Sequence, residues 1–175
     1  MAQMLEPKSG EFFVLPRGPH ELRAAIAFAR ALVTRRAALA SASALVPIPG
    51  LDLATDIATL MSLVPRINQI FGLTPEQIGN LGPQRQAIVY QAILVAGSAM
   101  IGKIVTSELV FAALKKVGMK LTVKQVTRFV PLAGQALSAI LSFAALRYVC
   151  NQHIEQCVLV VESVRVRESL PGQVV

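Results

Sequence analysis

Tryptophan is absent, and Phe and Tyr together supply only 5% of the 175 residues. That scarcity argues against a protein that stacks single-stranded bases on aromatic side chains, so nucleic acid is not the expected partner. Charge is also scarce, at 15% of residues against roughly 25% in an ordinary globular chain. Acidic residues are the scarcer sign: ten Asp and Glu face seventeen Lys and Arg, for a net charge of +7. Histidine and cysteine occur twice each. A nucleophile, a base and a group to orient the base cannot be assembled from so few, so no enzymatic activity and no cofactor are expected. No stretch alternates apolar and polar residues as a half-buried strand would. The opening Met1 to Gly18 lacks a basic start followed by an apolar run, so it does not read as a secretory signal.

What the chain has is apolar bulk. Hydrophobic residues make up 54% of it and the mean hydropathy is +0.57. The expected architecture is an all-α compact bundle of about five to seven helices. One helical domain over residues 20–168 is expected, flanked by flexible tails at 1–19 and 169–175. Leu22, Ala25, Ile26, Ala29, Leu32 and Val33 recur at helical spacing, with Arg23, Arg30, Arg35 and Arg36 on much of the remaining surface, which predicts a basic amphipathic helix from His20 to about Val46. Pro47, Pro49 and Gly50 end it, because proline has no N–H to donate and glycine relieves the turn. A second helix is expected from Leu51 to about Phe71, kinked or broken at Pro65 and closed by Gly72. Thr74-Pro-Glu-Gln77 has the form of a capping box and predicts a short helix to about Leu81. The longest helix is expected from about Pro83 to Lys116, a short one from Thr122 until Pro131 interrupts it, and a last one from about Gly134 to Glu168.

Three stretches are free of charge: Ala37 to Leu51, Gln86 to Gly102 and Phe129 to Leu146. A membrane span needs about 20 predominantly apolar residues. The first is too short, the second is interrupted by glycine, and the third carries Pro131 and Gln135. Arginine or lysine flanks every stretch, so no orientation satisfies the excess of positive charge on the cytoplasmic side. A bundle that lies on a membrane or inserts shallowly is the better reading, with a hairpin-inserting effector or pore former as the alternative.

Gly97-Ser-Ala-Met-Ile-Gly102-Lys103 nearly spells a phosphate-binding loop. Ile104 stands where such a loop needs Ser or Thr for magnesium, and no D-x-x-G or N-K-x-D follows. The small residues Gly97, Ser98, Ala99 and Gly102 are read instead as allowing close approach of helices.

Val46-Pro-Ile-Pro-Gly-Leu-Asp-Leu53 is echoed 84 positions later by Val130-Pro-Leu-Ala-Gly-Gln-Ala-Leu137. A shared V-P-x-x-G-x-x-L pattern suggests two helix-turn-helix units related by a pseudo-twofold, with Pro47, Pro49, Gly50, Pro131 and Gly134 as the structural turns. The segment from Ala44 through the P-I-P-G-x-D motif to Ile78, with the second turn at Phe129 to Leu137, resembles a membrane-linked helical domain that accompanies bacterial Era-like GTPases. It is similar also to the helical region of the immunity-related GTPases. The resemblance covers about residues 25 to 165. It implies an all-helical module that associates with membranes and works beside a GTPase, here on another chain.

The positive charge falls in two clusters that fit an anionic membrane surface: Arg23, Arg30, Arg35 and Arg36, then Lys115, Lys116, Lys120 and Lys124. Asp52 and Asp56 lie one turn apart in an apolar stretch and are candidates for an internal ion pair with Lys103 or Arg147. Cys150, His153 and Cys157 share one helix face, a weak metal candidate because structural zinc wants four ligands. Those two cysteines are too far apart along a helix to pair, which points to a reducing compartment and the cytoplasmic face of a membrane. The expected function is a non-enzymatic, membrane-associated module that recruits a protein partner or self-associates.

Overall fold

The computed structural model describes residues 15–43, 51–115 and 134–169, with the side chains of 42–43, 51–53 and 134–138 left aside. Within them the protein is all-α, with no strand among the described residues. The helices are α1 (Pro19–Ser43), α2 (Leu51–Ile70), α3 (Pro75–Gly79), α4 (Pro83–Ala96), α5 over residues 107–115, and α6 (Gly134–Ser169). The turn residues Pro47, Pro49, Gly50 and Pro131, the helix expected at Thr122, and Lys116, Lys120 and Lys124 lie outside the described residues. Gly134 is the first residue of α6.

Local chemistry explains where these helices start and stop. Pro19 fills the first position of α1, where its missing N–H costs nothing. The Glu21 carboxylate reaches back to accept from the Arg17 amide at 2.8 Å, placing a negative charge at the positive end of the helix dipole. Pro65 does not break α2, which is continuous from Leu51 to Ile70. Pro65 and Met61, whose carbonyl loses its usual donor, are both on the exposed side. Gly72, at φ +70°, closes α2 with Leu73 N–H donating to the Asn68 carbonyl and Gly72 N–H to that of Gln69, a Schellman motif. The capping box at α3 is complete. Thr74 Oγ1 accepts from the Gln77 amide, and the Gln77 side chain accepts from the Thr74 amide.

One expected element is corrected. The helix from Pro83 does not run to Lys116: α4 ends at Ala96, and a turn over residues 97–106 separates it from α5. Gly97 at φ +64° and Gly102 at φ +67° take a left-handed backbone that side chains disfavour, so the helix stops although apolar residues continue. Thr106 then opens α5, accepting from the Val110 amide through its carbonyl and from the Leu109 amide through its hydroxyl. Hydrogen bonds from Thr106, its own backbone amide and Ser107 hold the Glu108 carboxyl below its usual range at this helix start.

The chain divides into two compact units. The first takes in the described parts of Met1–Arg30, Arg66–Lys103 and Ile154–Val175. Its core holds Leu22, Ile67, Phe71, Leu73, Ile78, Ile101 and Ile154, all buried. Leu15 is buried too, so the chain is packed from the first described residue. The second unit consists of the described parts of Ala31–Pro65 and Ile104–His153. Val33, Leu60, Leu63, Val110, Leu146 and Cys150 are buried there beside the polar Asp56, Ser142 and His153. Each large apolar side chain withdrawn from water stabilises its unit by about 1.5–3 kcal/mol.

Candidate functional site

Helix α1 separates its residues as the periodicity predicts. Leu22, Ala29, Val33 and Ala37 are buried and Ile26 and Leu32 are half-buried, while Arg23, Arg30, Arg35 and Arg36 are all exposed. At 100° per residue, Arg23 and Arg30 flank one edge of the buried stripe, Arg36 flanks the other, and Arg35 stands away from it. From Leu22 to Leu51 the sequence contains these four arginines and no acidic residue. A helix of this kind keeps its stripe on the core and presents a one-signed field to solvent. Of the second basic cluster, Lys115 is described and is exposed.

The arginines of α4 and of the end of α6 stand in different surroundings. In the first unit Arg85 pairs with Glu168, its Nε 2.6 Å from one carboxylate oxygen and its second nitrogen 3.1 Å from the other. Arg167 donates to the Gln91 side chain. Arg17, Glu162, Arg165, Val166, Glu168 and Ser169 line a cleft of about 530 Å³. Two guanidinium groups and two carboxylates balance one another there, and no thiol or imidazole lines it.

Asp56 is buried on α2, and its carboxylate accepts from Ser142 Oγ of α6 at 2.5 Å within the second unit. Arg147 lies over the Phe143 ring, 5.4 Å from its centroid, a cation–π contact. Lys103 is exposed. The side chain of Asp52 lies outside the described residues.

Cys150, His153 and Cys157 are all buried on α6. Burial pushes the Cys150 thiol up to about 12 and raises Cys157 as well. A thiol held protonated by burial is a poor nucleophile. Cys157 Sγ lies 3.9 Å from Asn68 Oδ1 within the first unit. Among the described residues no group of three or more His, Cys, Asp or Glu side chains is placed to hold a metal ion.

The segment that nearly spells a phosphate loop is a braced structural turn. Asn68 Nδ2 donates to the Met100 carbonyl at 2.8 Å, and the Gly102 amide donates to the Leu73 carbonyl at 3.2 Å. One backbone acceptor and one backbone donor of the segment are thus tied to Asn68 of α2 and to Leu73 just after it. Both glycines serve conformation, and at Gly102 the expected close approach is present as well. A Cβ at Gly97 would meet nothing within 4 Å, so only its φ matters. At Gly102 a Cβ would also lie 3.1 Å from Ile78 Cδ1 and 3.2 Å from Ile93 Cδ1.

Sequence reasoning missed what surrounds this turn. Leu94 is 79% exposed, Val95 78% and Ile104 80%, more than any other large apolar side chain among the described residues. Composition could reveal that the stretch is apolar, but not that its side chains point outward. Among the described residues no helix is long and apolar enough to cross a membrane. At 14 residues α4 extends about 21 Å, short of the roughly 30 Å hydrocarbon core.

No family model, curated protein or solved structure matches the chain.

Proposed function

We propose that the protein is a non-enzymatic helical module that binds anionic membrane surfaces through the arginines of α1. The observation that carries this reading is the exposure of Arg23, Arg30, Arg35 and Arg36 on a helix free of acidic residues beyond its first turn. Each basic residue held near an anionic leaflet contributes about 1 kcal/mol, so four suffice for a useful, salt-sensitive attachment. A non-enzymatic role is supported by burial of both thiols, whose raised ionisation removes them as nucleophiles at neutral pH. Once on the surface, the module recruits a protein partner or a second copy of itself. The resemblance of its turn motifs makes a GTPase the partner to test, and the cytoplasmic face of a membrane the place.

Flotation of the purified chain with phosphatidylserine-containing vesicles tests the reading. The protein should rise with the vesicles at low ionic strength, stay behind with pure phosphatidylcholine, and be released by high salt at neutral pH. Flotation that survives the salt would point to deep insertion. Absence of flotation on the anionic vesicles would remove the membrane from the account. Sedimentation of the full chain with and without vesicles reads self-association.

A further inference from the structure

Leu94 and Val95 stand at the end of α4 in the first unit, and each is exposed by more than three quarters. Scattered apolar side chains on a surface are ordinary. Two adjacent ones of this size, at the end of a helix that leads into a braced turn, are not. The brace keeps them outward: Ile101 is buried, Asn68 holds the Met100 carbonyl, and Gly102 is tied to Leu73. Folding Leu94 or Val95 inward would require breaking those contacts or unwinding the end of α4.

Charge around the turn narrows what can cover it. From Gln77 to Ser107 the sequence has no acidic residue, and its two charges are Arg85 and Lys103. Arg85 is satisfied by Glu168, leaving exposed Lys103 as the charge next to the apolar tip. Tyr90, 48% exposed, lies four residues before Leu94 on the same side of α4, about 6 Å back along the axis. Apolar side chains at the tip, a lysine beside them and a tyrosine one turn behind match the layers of a bilayer surface. Acyl chains take the first, headgroup phosphates the second, and the interface favours an aromatic ring with a polar end.

We propose that the end of α4 is the element that enters the lipid surface, with Leu94 and Val95 reaching the acyl boundary of an anionic bilayer while Lys103, in the turn that follows, meets a headgroup phosphate. This rests on the membrane reading above and assigns it an anchor apart from α1. The insertion is shallow, as befits an interfacial element rather than a span. The arginines act over distance and are screened by salt, whereas the turn acts only on contact and is not.

A cysteine replacing Leu94 and carrying an environment-sensitive fluorophore tests this in the full chain. The buried native thiols Cys150 and Cys157 leave the introduced one to be labelled selectively. With phosphatidylserine and phosphatidylcholine vesicles at neutral pH, the emission should shift to the blue and become shielded from an aqueous quencher, with flotation read in the same sample. Independently, the doubly substituted L94D/V95D chain, checked for helix content by circular dichroism, should lose affinity for these vesicles by about tenfold or more. Flotation with an unshifted, quencher-accessible label would overturn the insertion proposal and leave the α1 reading intact. No flotation of the unmodified chain would overturn both. A blue shift without vesicles that grows with protein concentration would overturn it in favour of a second copy covering the turn.

Discussion

The exposed side of α1 and the turn between α4 and α5 offer chemically opposite surfaces to water. On α1 the apolar residues are buried and the charges face out, so the helix attracts before it touches. At the end of α4 the order is reversed: Leu94 and Val95 are outward, and in the turn that follows Ile101 is inward and Lys103 is exposed. The α1 surface depends on charge and tolerates changes of side-chain shape. The turn depends on geometry, because two glycines in left-handed conformation and two long-range hydrogen bonds decide which side chains face water. Charge number and backbone conformation are therefore the separate variables that perturb them.

The largest effect is expected on α1. Replacing Arg23, Arg30, Arg35 and Arg36 together by alanine should lower affinity for phosphatidylserine vesicles on the order of 10²–10³-fold, measured by vesicle titration. The urea midpoint should stay nearly unchanged, since the arginines are exposed and alanine favours helix. If affinity survives, the turn alone carries attachment and the contrast between the two surfaces fails.

Alkaline pH bears on the core that supports both. A thiol held protonated by burial contributes stability that is fully present below its unfolded value, near 9. That contribution is lost as pH rises through the folded value, about 12 for Cys150. The unfolding free energy read from urea titrations should therefore fall between pH 9 and 12, by up to about 1.4 kcal/mol per pH step for each thiol. Cys150→Ala, which has no thiol to ionise there, should show a shallower fall. An equal fall in both would assign the loss to other groups. For this reason high salt at neutral pH, rather than alkaline carbonate, is the discriminating wash in flotation.

Smaller effects separate the two glycines. Gly102→Ala combines left-handed strain with contacts at 3.1 and 3.2 Å and should destabilise by about 2 kcal/mol. Gly97→Ala has only the strain and should lose about 1 kcal/mol. Chemical denaturation reads both. Equal losses would mean that packing of Gly102 against Ile78 and Ile93 contributes nothing.

The contrast also explains what could be read from the sequence. The buried stripe and exposed arginines of α1 were legible because both follow the same 3.6-residue period. Thr74-Pro-Glu-Gln77 was legible because a capping box is a local exchange of hydrogen bonds. The end of α4 was not, since apolar periodicity continues past Gly97 and a backbone angle leaves no mark on side-chain pattern. Thr106-Ser-Glu108 was the available signal, an N-cap followed by an acid in the first turn. The Asp56–Ser142 hydrogen bond and the Arg85–Glu168 pair join residues 86 and 83 positions apart, beyond any local rule. The apolar tip was hidden for another reason: a sequence shows that Leu94 and Val95 are apolar, and only packing decides that they remain in water.

The most direct test of the central claim is the affinity of the unmodified chain for vesicles with and without phosphatidylserine, measured across a salt series at neutral pH. The account predicts binding that requires the anionic lipid and weakens steadily with salt, leaving a small salt-resistant remainder from the turn. Equal binding to both vesicle types, or none to either, would contradict it.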